Sequence, residues 1–229
     1  MRNDKKISVV IPCYNEEGGI GSVIPTLPDF IDEIVVVDNN STDRTAEIAE
    51  SLGARVVFEK KQGYGNAYKA GLPAAEGDII VTMDGDGTYP AHAISYLLDT
   101  LFIDDLDFVS AARIPVQWIH SLNMIKRYFG NLGLSLATLL LFGIRLRDSQ
   151  SGMWVFKRDV LDKVQVVSDG MPFSEEFKIR AFDCDDIVAR EVPVQFKYIT
   201  RVGDSKLNLW SDGFRNLMYL FKLRKEFWR

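Results

Sequence analysis

Residues 79–90 have the sequence Ile79-Ile80-Val81-Thr82-Met83-Asp84-Gly85-Asp86-Gly87-Thr88-Tyr89-Pro90. The apolar start predicts a short buried strand, because it is partly β-branched and follows a Gly-Asp turn. Asp84 and Asp86 are two residues apart, so a continuing strand would project both carboxylates from one side. Hard oxygen donors suit Mg²⁺ or Mn²⁺, and Gly85 and Gly87 would let a ligand approach the backbone. The alternative is a polar turn that only caps the strand.

Length and composition indicate one folded domain. The 229 residues can bury one large core, and 47% hydrophobic with 26% charged residues is ordinary for a soluble protein. A net charge of −5 argues against a nucleic-acid partner. Cys13 and Cys184 have no metal-binding spacing, which favours a reduced, cytosolic chain. No signal peptide is visible, and no apolar run reaches the roughly 20 residues of a membrane span.

Short apolar runs alternate with helical segments through the first half of the chain. This alternation predicts a mostly parallel sheet with helices on both faces. Three of the runs end in polar loops: Tyr14-Asn15-Glu16, Asp38-Asn39-Asn40 and Asp84-Gly85-Asp86. Each loop could be an ordinary Asx turn. Carboxyl ends of parallel strands share one edge, where open α/β sheets bind ligands, so we expect the three loops to form one site.

The chain changes character near Arg113. Residues 114–146 are rich in apolar and aromatic side chains with a few basic ones, which is typical of core helices or of helices lying in a membrane interface. Residues 207–229 form an aromatic, basic, amphipathic tail. Such a tail suits a membrane surface, a partner, or docking as a terminal helix.

The chain resembles family 2 glycosyltransferases of the GT-A fold, and among them the dolichyl- and polyprenyl-phosphate sugar synthases. The matching motifs occur in family order over nearly the whole chain. They are Val10-Ile11-Pro12-Cys13-Tyr14-Asn15-Glu16, Val37-Asp38-Asn39-Asn40-Ser41-Thr42-Asp43-Arg44-Thr45, Gly63-Tyr64-Gly65-Asn66-Ala67, Met83-Asp84-Gly85-Asp86, Ala112-Arg113, Arg127 with Asn131, Asp148 to Met153, Glu176, and Arg201 through Lys206. The resemblance implies a Rossmann-like α/β catalytic domain over residues 1–206, in which the apolar helical section, residues 114–146, comes after the sheet.

The resemblance also implies an inverting, metal-dependent transfer of a hexose from a GDP-mannose or UDP-glucose type donor to dolichyl or polyprenyl phosphate. Asp84 and Asp86 would hold Mg²⁺ or Mn²⁺. Some relatives carry a glutamine where this chain has Thr88, so a third protein ligand stays open. The implied nucleotide-sugar pocket comprises Pro12, Tyr14, Asn15, Glu16, Asp38, Gly63, Gly65, Met83, Asp84, Gly85 and Asp86.

Further site residues follow from the same resemblance. Arg201 and Lys206 would stabilise the leaving diphosphate. Glu176 is a site carboxylate of open role, with Glu175 as the adjacent alternative. The residues implied to hold the lipid phosphate are Arg113, Arg127 and Ser205.

Two other functions stay open at this point. One is a glycosyltransferase of the same fold that acts on a saccharide or protein acceptor, and the other is a non-catalytic nucleotide-binding module. A phosphate acceptor is already an anion and needs no strong base, which fits a chain whose histidines, His92 and His120, lie outside the matching motifs. We expect the protein at the cytoplasmic face of a membrane, attached peripherally.

Overall fold

The computed structural model describes residues 2–115, 122–196 and 209–227. Within these ranges the strands form one seven-stranded sheet with the order β3-β2-β1-β4-β6-β5-β7. Neighbouring strands pair in parallel, except β6, which is antiparallel to β4 and to β5. The mostly parallel α/β sheet is therefore confirmed. Its strands are β1 (Ile7–Cys13), β2 (Glu33–Asp38), β3 (Arg55–Phe58), β4 (Ile79–Thr82), β5 (Phe108–Pro115), β6 (Trp154–Lys157) and β7 (Ala189–Phe196).

Helices cover both faces of the sheet. Successive strand residues point to opposite sides, and apolar side chains on both sides need to be buried. Val9 and Ile11 of β1 belong to the apolar cluster under one set of helices, whereas Val10 belongs to the cluster on the other face. The helices are α1 (Glu17–Val23), followed by a 3-10 turn (Ile24–Thr26), α2 (Thr45–Ser51), α3 (Tyr64–Ala74), α4 (Ala93–Ile103), α5 (Leu122–Phe142), α6 (Val160–Lys163), α7 (Phe173–Asp183) and α8 (Leu209–Phe227).

Aromatic rings fill the face that carries α3 and α7. Tyr68 of α3 stacks on Phe173 with centroids 5.4 Å apart, and Trp154 of β6 stacks on Phe177 at 5.1 Å. All four side chains are buried. Because ring pairs of this kind add to the stability of a core, the start of α3 is held rigidly against β6.

The apolar section and the tail meet in a third cluster. Leu134 of α5 packs with Leu220 and Leu223 of α8 and with Ile179 of α7. The tail thus forms a docked terminal helix over residues 209–227. The expectation that the apolar section comes after the sheet is wrong, because β6 and β7 follow α5 in the chain and complete the same sheet. None of the described helices combines the length and apolarity that crossing a membrane requires.

Candidate active site

The predicted polar loops meet at the carboxyl edge of β2, β1 and β4, which lie side by side in parallel. A cavity of about 370 Å³ opens there. The sequence-predicted residues that line it are Pro12, Tyr14, Glu16, Gly63, Asp84, Gly85 and Asp86. The lining also includes residues that were not predicted, namely Cys13, Asn39, Gln62, Tyr64, Ala67 and Met171.

Other predicted members of the pocket stand behind its described lining. Met83 is buried in the core. Asn15 joins two loops, because its Oδ1 accepts the Thr42 amide at 2.7 Å. Asp38 is buried at the same edge, and its Oδ1 accepts the Ser41 amide at 3.1 Å. These two side chains therefore brace the loops after β1 and β2, and the base contact that the resemblance implies for Asp38 stays a prediction.

Asn39 holds the loop that leads into α3. Its side-chain nitrogen donates to the carbonyls of Glu59 at 3.1 Å and Lys61 at 2.8 Å. Its Oδ1 accepts the amide of Gly63 at 2.7 Å. The Asp38-Asn39-Asn40 triplet drew attention to this loop, but only the tertiary contacts show that Asn39 is the residue on the cavity wall.

The glycines of the site are required by protein packing. Gly63 has φ +146°, and a Cβ there would overlap the carbonyl oxygen of Asp169. A Cβ on Gly65 would overlap the carbonyl of Ser168, so this residue serves packing behind the pocket. At Gly85 a Cβ would come within 2.6 Å of Cys13 Sγ. Gly85 is therefore required because the thiol fills the space that a Cβ would take, while its backbone lines the cavity. Close approach of a ligand to that backbone stays a prediction.

Asp84 and Asp86 each have one oxygen held by a hydroxyl group. Tyr64 donates to Asp84 Oδ1 at 3.2 Å. Thr88 donates to Asp86 Oδ1 twice, from its amide at 3.0 Å and from its hydroxyl at 2.7 Å. Thr88 thus donates hydrogen bonds to the Asp86 carboxylate instead of adding a third metal ligand.

The two carboxylates fit a divalent cation whose remaining ligands come from elsewhere. Within the described ranges no three histidine, cysteine, aspartate or glutamate side chains gather as a metal-binding group. Mg²⁺ is commonly bound by one or two carboxylates, with substrate phosphates and waters completing its coordination. Asp84 and Asp86 on the wall of a cavity satisfy that requirement.

Arg113 lies on the neighbouring part of the edge, at the end of β5, in a bidentate ion pair. Its Nε is 2.6 Å from Asp148 Oδ2, and its Nη2 is 2.9 Å from Oδ1. Asn131 of α5 also donates to Asp148 Oδ1, at 3.0 Å. Burial alone would raise the pKa of the Asp148 carboxyl, but the Arg113 guanidinium outweighs burial and lowers that pKa to about 2.

Lys178 holds the backbone of the loop that contains Asp148. Its Nζ donates to the carbonyl of Asp148 at 2.8 Å and to that of Ser151 at 3.0 Å. The side chain is fully buried on α7. Burial lowers the pKa of Lys178 to about 8. The loop is therefore fixed through both its carboxylate and its carbonyl groups.

Tyr89 and Gly152 connect this ion pair to the carboxylates of the cavity. The Arg113 Cζ is 5.9 Å from the centroid of the Tyr89 ring. The Tyr89 hydroxyl accepts the Gly152 amide at 2.8 Å. A Cβ on Gly152 would overlap the Tyr64 hydroxyl and lie 3.4 Å from Asp84 Oδ1. Arg113 and Asp84 are thus separated by one ring and one glycine.

Glu176 is fully buried and supports the loop behind Gly63 and Gly65. It accepts the amides of Val167 at 3.1 Å and Ser168 at 2.9 Å. It also accepts Arg180 Nε at 2.8 Å and the Tyr219 hydroxyl at 2.6 Å. With these partners Glu176 ties α7 to α8, and it stands outside the described lining of the cavity.

Glu175, the adjacent alternative, is also buried. Its Oε1 accepts the Thr138 hydroxyl at 3.1 Å, and burial raises its pKa to about 7.

The predicted roles of Arg201, Ser205 and Lys206 concern residues outside the described ranges. Arg127 lies in the part of α5 whose side chains are not described.

Known proteins are similar to this chain in sequence and in fold. Residues 8–165 match the sequence model named Glycosyl transferase family 2. The chain is 34% identical over 210 residues to the dolichyl-phosphate hexose transferase of Haloferax volcanii, covering 90% of this chain and 89% of that protein. It is 32% identical over 220 residues to the low-salt glycan biosynthesis hexosyltransferase of the same organism, covering 93% of this chain and 52% of that protein. The chain therefore spans about half the length of the latter relative.

A solved structure shows the same architecture. The fold is similar to that of glucosyl-3-phosphoglycerate synthase from Mycobacterium tuberculosis in complex with Mg²⁺ and UDP, with a TM-score of 0.77, 24% identity, and coverage of 96% of this chain and 79% of that chain. Fold and site together define a glycosyltransferase of the GT-A type. The chain belongs to glycosyl transferase family 2.

Proposed function

We propose that the protein transfers a hexose from a nucleoside-diphosphate sugar to dolichyl or polyprenyl phosphate, with inversion and with a divalent metal. The observation that carries this proposal is the closeness of two unlike sites, a carboxylate-lined cavity and the Arg113–Asp148 pair, separated by Tyr89 and Gly152. The relative named dolichyl-phosphate hexose transferase supports the choice of acceptor.

The cavity is suited to the donor. Asp84 and Asp86 would hold the metal, which when bound neutralises charge that develops on the leaving diphosphate. The loops after β1 and β2 and the start of α3 form much of the remaining wall, with Tyr14 as a polar contact for a nucleoside. Arg201 and Lys206, which lie outside the described ranges, remain the predicted cations for the leaving diphosphate. Structures of a GT-A neighbour with UDP and Mn²⁺ or Mg²⁺ support this arrangement.

Arg113 is suited to the phosphate of the acceptor. A guanidinium binds phosphate oxygens through a planar fork of donors, and Asp148 holds that fork in one orientation before any ligand arrives. The charge of Asp148 partly offsets that of Arg113, so a second cation is needed, and Arg127 is the predicted one. An acceptor phosphate is itself an anionic nucleophile. This agrees with a cavity whose described lining includes no histidine.

The outward faces of α5 and α8 are suited to a membrane surface. Exposed apolar side chains recur at helical spacing on each helix, on the side away from the core. They are Phe129, Leu132, Leu136 and Leu140 on α5, and Phe214, Met218 and Phe221 on α8. Exposed basic residues occur on α8 and in the segment that follows α5, namely Arg145, Arg147, Arg215, Lys222 and Lys225. Apolar side chains flanked by cations match anionic lipid, which would place the Arg113 site beside its lipid substrate. Peripheral attachment at the cytoplasmic face of a membrane is part of this proposal.

The activity is tested by sugar transfer. Radiolabelled GDP-mannose and UDP-glucose are each supplied with Mg²⁺ and either dolichyl phosphate, polyprenyl phosphate or a free oligosaccharide. We expect lipid-linked product from one donor and loss of product when EDTA replaces the metal. Transfer only to the oligosaccharide would establish the saccharide-acceptor alternative, and absence of product from every common donor would contradict the proposal.

Membrane attachment is tested by flotation with anionic vesicles. Leu136→Asp places a charge on the outward face of α5, where the wild-type side chain is 54% exposed. Ile103→Asp is the matched control, because Ile103 is 79% exposed on α4, away from this face. We expect wild-type protein and the Ile103 variant to float and the Leu136 variant to stay in the soluble fraction. Equal flotation of all three would contradict attachment through α5.

A further inference from the structure

The two carboxylates of the cavity are held by side chains that have no assigned role. Tyr64 donates to one oxygen of Asp84, and Thr88 donates twice to one oxygen of Asp86. Both contacts come from residues within or beside the cavity wall. The orientation of each carboxylate is therefore set by the protein before a cation or nucleotide arrives.

The position of the Tyr64 hydroxyl is itself closely determined. Tyr64 is the first residue of α3, and the preceding Gly63 amide is bound by Asn39. Its ring packs edge-on against Tyr68, with centroids 5.0 Å apart and planes at 77°. Gly152 gives the hydroxyl its space, since a Cβ there would overlap it. The phenol is thus confined between α3, Gly152 and Asp84.

We infer that Tyr64 and Thr88 are positioning residues that orient Asp84 and Asp86 toward the metal. This inference rests on the proposed metal-dependent function. Hydrogen bonds to one oxygen of a carboxylate ligand fix its rotation and leave the group aimed in one direction, and loss of such partners commonly weakens metal binding about 10–100-fold. Tyr64 acts through its hydroxyl alone, whereas Thr88 acts through both its hydroxyl and its amide.

The structure supplies a matched set of variants. Tyr64→Phe keeps the ring and removes the hydrogen bond to Asp84. Thr88→Val keeps the shape and the amide bond to Asp86 and removes the hydroxyl bond. Tyr68→Phe is the control, because the Tyr68 hydroxyl is buried and has no hydrogen-bond partner in the described part of the chain.

The measurement is Mn²⁺ affinity in the presence of UDP or GDP, whichever the wild-type protein binds, followed by the electron paramagnetic resonance signal of free Mn²⁺. We expect about a tenfold loss of Mn²⁺ affinity for Tyr64→Phe, a smaller loss for Thr88→Val, and wild-type affinity for Tyr68→Phe. Cooperative thermal unfolding should show that all three variants are folded. Metal-free nucleotide affinity should stay at the wild-type value in Thr88→Val and Tyr68→Phe, because neither residue belongs to the described cavity lining.

The outcomes separate this inference from the proposed function. Wild-type protein that binds Mn²⁺ while Tyr64→Phe binds it equally well overturns the positioning role alone. An equal loss in Tyr64→Phe and Tyr68→Phe also overturns it, because the effect would then come from packing. Wild-type protein that binds no Mn²⁺ with either nucleotide overturns the metal site and the positioning role together.

Discussion

Arg113 and Asp148 form an ion pair in which two nitrogens of the guanidinium meet both oxygens of one buried carboxylate, at 2.6 and 2.9 Å. The same carboxylate accepts the Arg113 amide at 3.0 Å. The arginine that we place at the acceptor phosphate is therefore held by the loop that also packs against Tyr64 and Asp84.

Asp148→Asn should destabilise the fold. Removing one charge from a buried pair leaves the other charge uncompensated, which typically costs about 3–5 kcal/mol, and the Arg113 side chain keeps some solvent access. We expect a fall of about 2–4 kcal/mol in the free energy of unfolding, measured with urea. Asp169→Asn is the control. Its pairs with Lys61 and Lys69 are exposed and screened by solvent, so their loss should change the free energy of unfolding little. Similar losses in both variants would contradict a special role for the buried pair.

The same pair predicts an acid-sensitive contribution to stability. The pKa of Asp148 is about 2 in the folded protein against an ordinary 3.8. Because the folded value is the lower one, the contribution is complete above the unfolded value and is lost as pH falls from 3.8 toward 2. Urea titrations of wild-type protein and Asp148→Asn should converge across that window. A constant difference between them down to the lowest pH would contradict this assignment.

Titration of Glu175 should give the free energy of unfolding an opposite dependence on pH, at higher pH. Burial raises its pKa from 4.5 to about 7, so between these values the folded protein keeps a proton that the unfolded chain releases. The free energy of unfolding therefore falls as pH rises from 4.5 to about 7. Glu175→Gln should remove that slope and gain stability relative to wild type above pH 7. Glu50→Gln, at an exposed position on α2, serves as the control and should follow the wild-type curve.

Gly152→Ala should impair catalysis, and overlap with the confined Tyr64 ring should also lower the free energy of unfolding by about 1–3 kcal/mol. The new methyl group would displace the Tyr64 hydroxyl from Asp84, and misplacement of a catalytic group by about an ångström can cost about 100-fold in rate. We expect a 10- to 100-fold loss of transfer, roughly, in the radiolabel assay. Gly133→Ala on α5 meets no atom within 4 Å and should retain wild-type transfer. Wild-type activity in the Gly152 variant would show that the contact is dispensable.

Asp86→Asn should separate metal-dependent turnover from nucleotide binding. Removing a charged metal ligand is expected to lower transfer by about 100-fold or more. Metal-free binding of the donor nucleotide, followed by calorimetry, should change little because the loops after β1 and β2 are intact. Asp162→Asn, an exposed aspartate on α6, should behave as wild type in both assays. Turnover that survives in Asp86→Asn would argue against a metal held there.

The sequence predicted the sheet well because its signals are local. Apolar runs such as 79–82 are β4, and the polar loops that follow β1, β2 and β4 do meet at one edge, as parallel pairing requires. It predicted less well which residue in a motif faces the cavity. Asn39 lines the cavity wall, whereas Asp38 supports the loop after β2. The position that a Cβ would take at Gly85 is occupied by the Cys13 thiol. A shift of one residue changes the direction of a side chain, and a motif does not encode that direction.

By itself, the sequence determined where the strands and their polar loops lie along the chain, including the two carboxylates that follow β4. These follow from hydrophobic periodicity and from local turn chemistry, whereas the site roles of Arg113, Gly63 and Gly65 were implied by the family resemblance. Only the tertiary structure decided that Asp148 binds Arg113, that Tyr64 binds Asp84 across 20 positions of sequence, and that Glu176 is buried support for a loop. Such pairings depend on how separate elements pack against one another, and no local pattern specifies the contacts between elements that are distant in the chain.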